Sequence, residues 1–287
     1  MGTAAAARVS LTEAAPLAGP DLSTERNRFV WGLTMADDQF VDHERRHFLR
    51  MAASTLALFA FAAVPVAAFA QPVGGTPLKI GMVGSGKEGG ALGTAFVKAG
   101  HQVMFSSRHP EQLKDLIDRL GPLAKAGTVE QAIAFGDVVA IVVPYTAMEQ
   151  IAKDYGPALA KKALVLDVSN PIARRDGEEL VKSVEQQGGA GLATAKLLPG
   201  AHVVRAFNAI NYMKLSEDAH RQSELVGVPI AGDDQNALAM ASNLIRQIGF
   251  EPVVVGGLSM GKYLVPGTPL GGEHTSAEIR QIAAGLH

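Results

Sequence analysis

A glycine-rich turn at residues 84–89 constrains the fold of this chain more than any other feature of its sequence. The apolar run at 78–83 is too short for a helix and is typical of a buried parallel strand. After the turn, small and apolar side chains recur at helical spacing as far as Gly100, and a second strand is predicted at 101–107. This order of strand, glycine turn, helix and strand predicts a βαβ unit that binds a dinucleotide.

The three glycines of the Gly-x-Gly-x-x-Gly pattern each have a physical reason. Gly84 permits the tight turn, Gly86 lets the backbone approach a pyrophosphate, and Gly89 lets the helix pack closely on the strand. The helix N-terminus adds free N–H groups and a partial positive charge, worth about 0.3–1 kcal/mol to an anion. We therefore expect the pyrophosphate to be bound by residues of this turn, namely Gly84, Ser85, Gly86, Lys87, Glu88 and Gly89.

The end of the second strand indicates which dinucleotide binds. An NAD site usually has Asp or Glu there, which accepts a hydrogen bond from the ribose 2′-hydroxyl. This chain has Ser106, Ser107 and Arg108 instead, and no acid. A serine hydroxyl can donate to a 2′-phosphate, and an arginine can pair with it through charge-assisted bonds. These residues predict NADP(H) as the cofactor, and the alternative is a solvated surface arginine.

The α/β alternation continues along the chain. Further strands are predicted at 137–143, 163–168, 202–207, 225–231 and 251–255, and helices at 110–120, 128–135, 145–155, 234–248 and 276–284. The pattern predicts a doubly wound parallel sheet with a small C-terminal extension, which is a Rossmann NAD(P)-binding fold over residues 76–287.

Ligands of such sheets bind at the carboxyl ends of the strands. Three short segments follow predicted strands there and are expected to face the ligand, and their candidate residues are Val143, Pro144, Asn170, Ala206, Phe207 and Asn208.

The first seventy residues differ from the rest because they contain no Lys. Residues 1–34 show no sustained hydrophobic period and predict a disordered leader, and the true start is left open between Met1 and Met35. The Arg45-Arg46 pair is followed by Phe48-Leu49 and then by an apolar segment without charges, which ends in an Ala-x-Ala site. This order resembles a twin-arginine-type signal peptide.

The signal peptide predicts transport by the twin-arginine export machinery and cleavage near Ala70. The mature protein would then be periplasmic or secreted. The alternatives are a buried apolar helix in a cytoplasmic protein or a transmembrane anchor, although Pro65 near the end of the apolar run suits a signal better than a span.

Composition excludes several classes of site. The absence of cysteine rules out disulfides, thiolate metal sites and a cysteine nucleophile, and the near-neutral net charge of -2 argues against nucleic-acid partners. The six His residues after position 70 show no metal-ligand spacing, and no Gly-x-Ser-x-Gly elbow occurs. We therefore predict no metal site and name no catalytic acid, base or nucleophile.

Taken together, the motifs resemble those of the NADPH-dependent coenzyme F420 reductase family, over about residues 78–285. The resemblance rests on the order and spacing of six segments: Gly84-x-Gly86-x-x-Gly89, Ser106-Ser107-Arg108, Val142-Val143-Pro144, Asp167-Val168-Ser169-Asn170-Pro171, Val204-Arg205-Ala206-Phe207-Asn208 and Glu251-Pro252-Val253.

The resemblance implies hydride transfer between NADPH and a small-molecule redox acceptor, with coenzyme F420 or a flavin as the co-substrate. It also implies that Val143 and Pro144 border the adenosine or ribose, and that Asn170 and residues 206–208 approach the nicotinamide. Positioning is then the main catalytic device.

Other functions stay open at this stage. One is a non-enzymatic NADP-binding sensor or partner-binding protein, and another is a reductase of a different small substrate. A hydroxyacid or imine reductase would need a large helical domain after the nucleotide-binding half, whereas only 79 residues follow Asn208. A homo-oligomer is also left open.

Overall fold

Residues 76–286 of a computed structural model are described below. The leader, the signal peptide and the cleavage site predicted for residues 1–70 lie outside this range. Within residues 76–286, no helix is long and apolar enough to cross a membrane.

The first part of the described chain alternates strands with helices as the sequence predicts. Its elements are β1 (Lys79–Val83), α1 (Lys87–Lys98), β2 (Gln102–Ser106), α2 (Lys114–Leu120), β3 (Ala124–Gly127), α3 (Val129–Phe135), β4 (Val138–Ile141), α4 (Met148–Leu159) and β5 (Leu164–Asp167).

The second part contains more helix than the sequence predicts. Its elements are α5 (Ala173–Asp176), α6 (Glu178–Gln186), α7 (Ala190–Leu197), β6 (Val203–Arg205), α8 (Tyr212–Glu217), β7 (Val226–Gly232), α9 (Gln235–Gln247), β8 (Glu251–Gly256), β9 (His274–Thr275) and α10 (Ser276–Ala284). Short 3-10 helices cover Pro110–Leu113, Tyr145–Ala147 and Leu258–Tyr263.

All nine strands of the described chain form one sheet, in the order β3-β2-β1-β4-β5-β6-β7-β8, with β9 paired to β7. The pairs from β3 through β6 and the β7–β8 pair are parallel. The strand order reverses between β1 and β4, which is the switch point where such sheets bind ligands. The predicted doubly wound Rossmann fold is confirmed.

The strand β7 departs from the parallel arrangement, since it runs antiparallel to β6 and to β9. A parallel connection must carry the chain back to the amino edge of the sheet. The segment between β6 and β7 contains only the six-residue helix α8. At 1.5 Å per residue this helix is about 9 Å long, so the chain enters β7 from the edge at which it left β6.

The sheet is buried on both faces because its strand side chains alternate between two apolar clusters. In β4, Val138 and Ala140 belong to a cluster that includes side chains of α1 and α9. Val139 and Ile141 belong to a second cluster with side chains of α3, α4 and α7. This two-sided burial explains why β4 reads as a continuous apolar run.

Several elements were not predicted from the sequence. The strand β3 has the sequence AKAG, with exposed central residues, and therefore lacks an apolar signal. The helices α5 to α7 are short, and glycines at 177, 188 and 189 interrupt them with positive φ angles. Thr128 is the N-cap of α3, since its hydroxyl accepts a hydrogen bond from the Gln131 N–H in a capping box.

Candidate nucleotide-binding site

The glycine turn between β1 and α1 has the geometry that its sequence requires. Gly84 has a φ of +96°, and a Cβ there would lie 2.3 Å from the carbonyl oxygen of Val142. A Cβ on Gly89 would lie 2.0 Å from the carbonyl oxygen of Gly84, so α1 packs directly against the turn. A Cβ on Gly86 would meet nothing within 4 Å. The backbone is therefore closely packed at 84 and 89 and open to a ligand at 86.

Ser106 holds this turn from the neighbouring strand. Its side chain is buried, and its hydroxyl accepts a hydrogen bond of 3.2 Å from the N–H of Gly84. The structure thus gives Ser106 a supporting position behind the turn, not one on the cavity surface. Ser85 has a buried hydroxyl with no hydrogen-bond partner among the described residues.

The end of β2 presents a cation without a carboxylate partner. Arg108 is exposed and has no hydrogen bond or ion pair with any residue in the range 76–286. The Ser107 hydroxyl accepts a 3.0 Å hydrogen bond from the N–H of His109, and its own hydrogen stays available for donation. An unpaired guanidinium beside a hydroxyl donor fits a phosphate monoester.

A cavity of about 460 Å³ lies at the carboxyl ends of the strands, next to the turn. It brings together nine residues that the sequence predicted for the site: Gly86, Lys87, Glu88, Gly89, Val143, Pro144, Asn170, Phe207 and Asn208. The other six predicted residues do not line it: Gly84, Ser85, Ser106, Ser107, Arg108 and Ala206. Ala206 is fully buried, so it supports the cavity from behind.

A buried ion pair supports the far side of the cavity. Asp167 ends β5 and Arg205 ends β6, both side chains are 0% exposed, and Nη1 of Arg205 lies 2.6 Å from Oδ2 of Asp167. Thr194 on α7 donates to the same oxygen at 2.9 Å. The other oxygen accepts from the N–H and the hydroxyl of Ser169, at 2.9 Å and 2.5 Å. Asp167 therefore positions the loop after β5.

Amide side chains link the loops after β5 and β6. The Asn170 side chain donates a 2.8 Å hydrogen bond to the carbonyl of Asn208. The Asn208 side chain donates in return to the carbonyls of Asp167 and Ser169, at 3.1 Å and 3.2 Å. Between the two loops, Arg205 donates to Ser169 and Asn170. These bonds fix two walls of the cavity relative to each other.

Phe207 takes an unusual backbone conformation within this framework. Its φ is +62°, in the left-handed region that non-glycine residues rarely adopt. The side chain is buried and meets Phe250 edge to face, with 6.4 Å between ring centroids. Packing thus maintains a strained residue on the wall of the candidate site, a common location for backbone strain.

Arg175 is the main cavity-lining residue that the sequence analysis missed. It is the third residue of the four-residue helix α5, and its guanidinium donates to the carbonyl of Asn170 at 2.5 Å and to Asp176 at 2.8 Å and 3.0 Å. Burial raises the pKa of Asp176, but the hydrogen bonds from Arg175 and Ile172 outweigh it and the net pKa lies below the usual value. In the sequence, the Arg-Arg-Asp run shortly after Asn170-Pro171 is the feature that could have indicated Arg175.

Two histidines that precede strands have structural partners. His101 is buried, its Nδ1 accepts a hydrogen bond from the N–H of Leu78 at 3.1 Å, and its Nε2 lies 2.7 Å from the Gln247 side chain. Burial lowers its pKa, although the hydrogen bond with Gln247 acts in the opposite direction. His202 lies 3.0 Å from Asp234. Neither lines the cavity, and no group of three metal-ligating side chains in the range 76–286 could hold a metal ion.

Comparison with known proteins agrees with this geometry. Residues 79–171 match the family model described as NADP oxidoreductase, coenzyme F420-dependent. The chain is similar to Rossmann NAD(P)-dependent oxidoreductases. It is 28% identical over 207 residues to the F420-dependent NADP reductase of Methanothermobacter thermautotrophicus, a match that covers 67% of this chain and 87% of that protein.

Other curated relatives are larger proteins. The chain is 31% identical over 187 residues to the metalloreductase STEAP3 of Rattus norvegicus, covering 63% of this chain and 34% of the relative. It is 27% identical over 201 residues to a glycerol-3-phosphate dehydrogenase of Rhizobium etli, covering 60% of this chain and 62% of the relative. This Rossmann chain therefore spans about a third of the first relative and less than two thirds of the second.

Solved structures show the same fold. A hypothetical protein of Sinorhizobium meliloti superposes with a TM-score of 0.56 at 27% identity, over 68% of this chain and 93% of that one. A candidate F420-dependent NADP-reductase of Arthrobacter sp. FB24 gives a TM-score of 0.55 at 19% identity, over 64% of this chain and 87% of that one. The Rossmann architecture thus accounts for nearly all of both structures.

Proposed function

We propose that this protein is an NADP(H)-dependent oxidoreductase that transfers a hydride between NADPH and a deazaflavin or flavin-like acceptor. The observation that carries the proposal is the 460 Å³ cavity at the switch point, which connects the glycine turn with the walls after β4, β5 and β6. A dinucleotide on the turn would extend into this cavity and leave its remaining space for a second ring.

The binding residues follow from their places in the fold. In this proposal, the turn at 84–89 holds the pyrophosphate against the N-terminus of α1, and Ser107 and Arg108 hold the 2′-phosphate at the end of β2. Val143 and Pro144 border the ribose, and Asn170, Phe207 and Asn208 border the nicotinamide end.

NADPH supplies the hydride when bound, so this chain supplies binding and orientation. The linked loops after β5 and β6 hold the cavity wall rigid, because Asp167, Arg205, Asn170 and Asn208 are joined by hydrogen bonds. Rigid placement of two reactants in near contact can lower a barrier by about 7–11 kcal/mol. The catalytic effect assigned to these residues is therefore positional.

An acceptor screen with NADPH tests the proposal. The purified chain is assayed with coenzyme F420, free flavin, quinones, ferric chelates and glycerone phosphate, and NADPH oxidation is followed optically. We expect turnover with F420 or flavin. Tight NADPH binding without turnover on any acceptor would instead support a non-enzymatic NADP sensor. Turnover with a different acceptor would support a reductase of another small substrate.

We expect Arg108→Ala to weaken NADPH binding by about 1–3 kcal/mol, roughly 5- to 150-fold in Kd, because a charge-assisted bond to the 2′-phosphate is lost. NADH lacks this phosphate, and its Kd should stay within about twofold. Fluorescence titration measures both constants. Arg280→Ala is the matched control, since this exposed arginine lies on α10. Equal affinities of the wild-type protein for NADPH and NADH would contradict the assignment.

We also propose export through the twin-arginine machinery, supported by the order Arg45-Arg46-x-Phe48-Leu49, apolar run and Ala-x-Ala. Replacing both arginines with lysine keeps the charge and should trap the full-length precursor inside the cell. Cell fractionation and immunoblotting measure the distribution. Lys substitution at Arg26 and Arg28 is the control. Export of the double-lysine variant at the wild-type level would rule out this route.

A further inference from the structure

One carboxyl group, that of Glu88, lies among the described side chains that line the cavity, and the backbone contacts proposed for the turn at 84–89 leave this side chain without a role. Glu88 is the second residue of α1 and lines the cavity, where it is half-buried. The backbone N–H of Tyr212 donates to its carboxyl group. Its Oε1 atom is buried and has no hydrogen-bond partner among residues 76–286. A buried, unpartnered oxygen beside a ligand cavity is a polar atom that a bound molecule can satisfy.

The topology places Glu88 on the acceptor side of the cavity. Arg108 follows β2, which lies on one side of β1, whereas β4, β5 and β6 lie on the other side. The carboxyl group of Glu88 bonds to Tyr212, which begins α8 directly after the wall at 207–211. Glu88 therefore points away from the predicted 2′-phosphate position and toward the wall assigned to the nicotinamide end.

The charges around Glu88 leave its carboxyl group weakly paired. Lys87 points its ammonium group at the Tyr212 ring, 5.5 Å from the centroid. Lys214 of α8 pairs with acidic side chains at 217 and 218, and Arg175 across the cavity pairs with its own neighbour at 176. Burial raises the pKa of Glu88 to about 7, although the hydrogen bond from the Tyr212 backbone acts in the opposite direction. A proton is therefore available on this side chain near neutral pH.

We propose that Glu88 is the proton donor that accompanies hydride transfer, and that the acceptor is a molecule whose reduction leaves an electron pair on a nitrogen or oxygen atom. This inference rests on the proposed oxidoreductase function. The C–H bond of NADPH breaks, and the hydride forms a C–H bond on a deazaflavin or carbonyl acceptor, or an N–H bond on a flavin. The displaced electron pair of the acceptor takes the proton as the O–H bond of Glu88 breaks. Solvent then returns a proton to the Glu88 carboxylate, and the reverse reaction uses that carboxylate as the base.

A proton donor at Glu88 also indicates the class of acceptor, which must take up a proton together with the hydride. Deazaflavins, flavins, quinones and carbonyl compounds all take up a proton with the hydride, whereas a ferric chelate takes up electrons alone. A donor with a pKa near the working pH both holds and releases its proton efficiently. The half-buried position of Glu88 supplies this property through desolvation.

Calorimetry of NADPH binding tests whether Glu88 takes up a proton, and it requires no catalytic turnover. The phosphates of NADPH disfavour a carboxylate beside them, so binding at pH 7.5 should draw a proton onto Glu88 in the wild-type protein. Titrations in two buffers with different ionisation enthalpies measure this uptake. Glu88→Gln should lose this uptake, and Glu130→Gln, an exposed change on α3, should keep it. Equal uptake by the wild-type protein and Glu88→Gln would overturn the proposal.

Single-turnover reduction of F420 or flavin gives the second readout. The wild-type rate should fall as pH rises above about 7, since the donor loses its proton there, and bound NADPH should move the midpoint of this fall to higher pH. Glu88→Gln should be slower by about 10²- to 10⁴-fold and lose this pH dependence, and Glu88→Asp should recover part of the rate. A Glu88→Gln rate within threefold of wild type overturns the proton role alone. A wild-type protein that binds NADPH but reduces no acceptor overturns the proposed function and the proton role with it.

Discussion

Arg205→Met is expected to lower the free energy of unfolding by about 3–5 kcal/mol, because it leaves the Asp167 carboxylate buried without its counter-ion. The guanidinium is 0% exposed and joins the ends of β5 and β6 through Asp167, Ser169 and Asn170. Its aliphatic stem lies between two glycines, since Cβ atoms on Gly191 and Gly261 would come within 3.3 Å and 2.7 Å of its Cδ. Urea unfolding followed by circular dichroism measures the loss.

A surface ion pair provides the control for Arg205. Arg246 lies 4.0 Å from Glu251, and both side chains are partly exposed. Arg246→Met should change stability by less than about 1 kcal/mol. The double variant Arg205→Met with Asp167→Asn should be less destabilised than the sum of the single variants, because the neutral amide needs no counter-ion. An Arg205→Met protein as stable as Arg246→Met would show that the buried pair contributes nothing to stability.

Alanine substitutions at Gly86 and Gly89 are expected to separate binding from folding. Gly89→Ala places a methyl group 2.0 Å from the carbonyl of Gly84, so α1 must shift, at a loss of about 1–3 kcal/mol or more in stability. Gly86→Ala meets no protein atom within 4 Å and has a negative φ, so stability should stay within about 0.5 kcal/mol. Its methyl group nevertheless fills the surface assigned to the pyrophosphate. We expect NADPH to bind roughly 10- to 100-fold more weakly to Gly86→Ala, an overpacking effect of about 1–3 kcal/mol.

Gly90→Ala is the matched control for both variants. The nearest atom to its Cβ is 3.9 Å away, and the residue lies inside α1. Alanine there should stabilise the helix by up to about 1 kcal/mol and leave NADPH binding unchanged. Thermal unfolding and NADPH titration on the three variants measure the two effects. If Gly86→Ala binds NADPH as tightly as Gly90→Ala, the dinucleotide does not approach the backbone at this turn.

The sequence predicted the elements whose formation depends on interactions between residues close together in the chain. The strand, turn and helix from 79 to 98 and the closing helix from Ser276 to Ala284 agree with the sequence analysis to within a few residues. These elements depend on neighbours in the chain, on glycine conformation and on capping side chains. The short strand β3 and the helices α5 to α7 depend on the surfaces against which they pack, and they gave no comparable pattern.

The candidate site shows the same division. Sequence reasoning placed nine of its fifteen predicted residues on the cavity, because the carboxyl ends of parallel strands share one edge of a sheet. It missed Arg175, which reaches the cavity from a helix outside the sheet. It included Ser106, whose hydroxyl the structure directs at the backbone of Gly84. The direction of a side chain at the end of a strand depends on contacts with the neighbouring strand, so the sequence pattern alone does not predict it.

By itself, the sequence of this protein determined the doubly wound fold, the glycine turn and the absence of an acid at the end of β2. These properties follow from hydrophobic period, backbone freedom and charge, which are local. Only the tertiary structure decided that Asp167 and Arg205 form a buried pair, that β7 runs antiparallel and that Glu88 faces the cavity with an unpartnered oxygen. The pair joins residues 38 positions apart in the chain. The environment of Glu88 is likewise formed by a helix that begins at Tyr212, and desolvation by such distant segments exists only after folding.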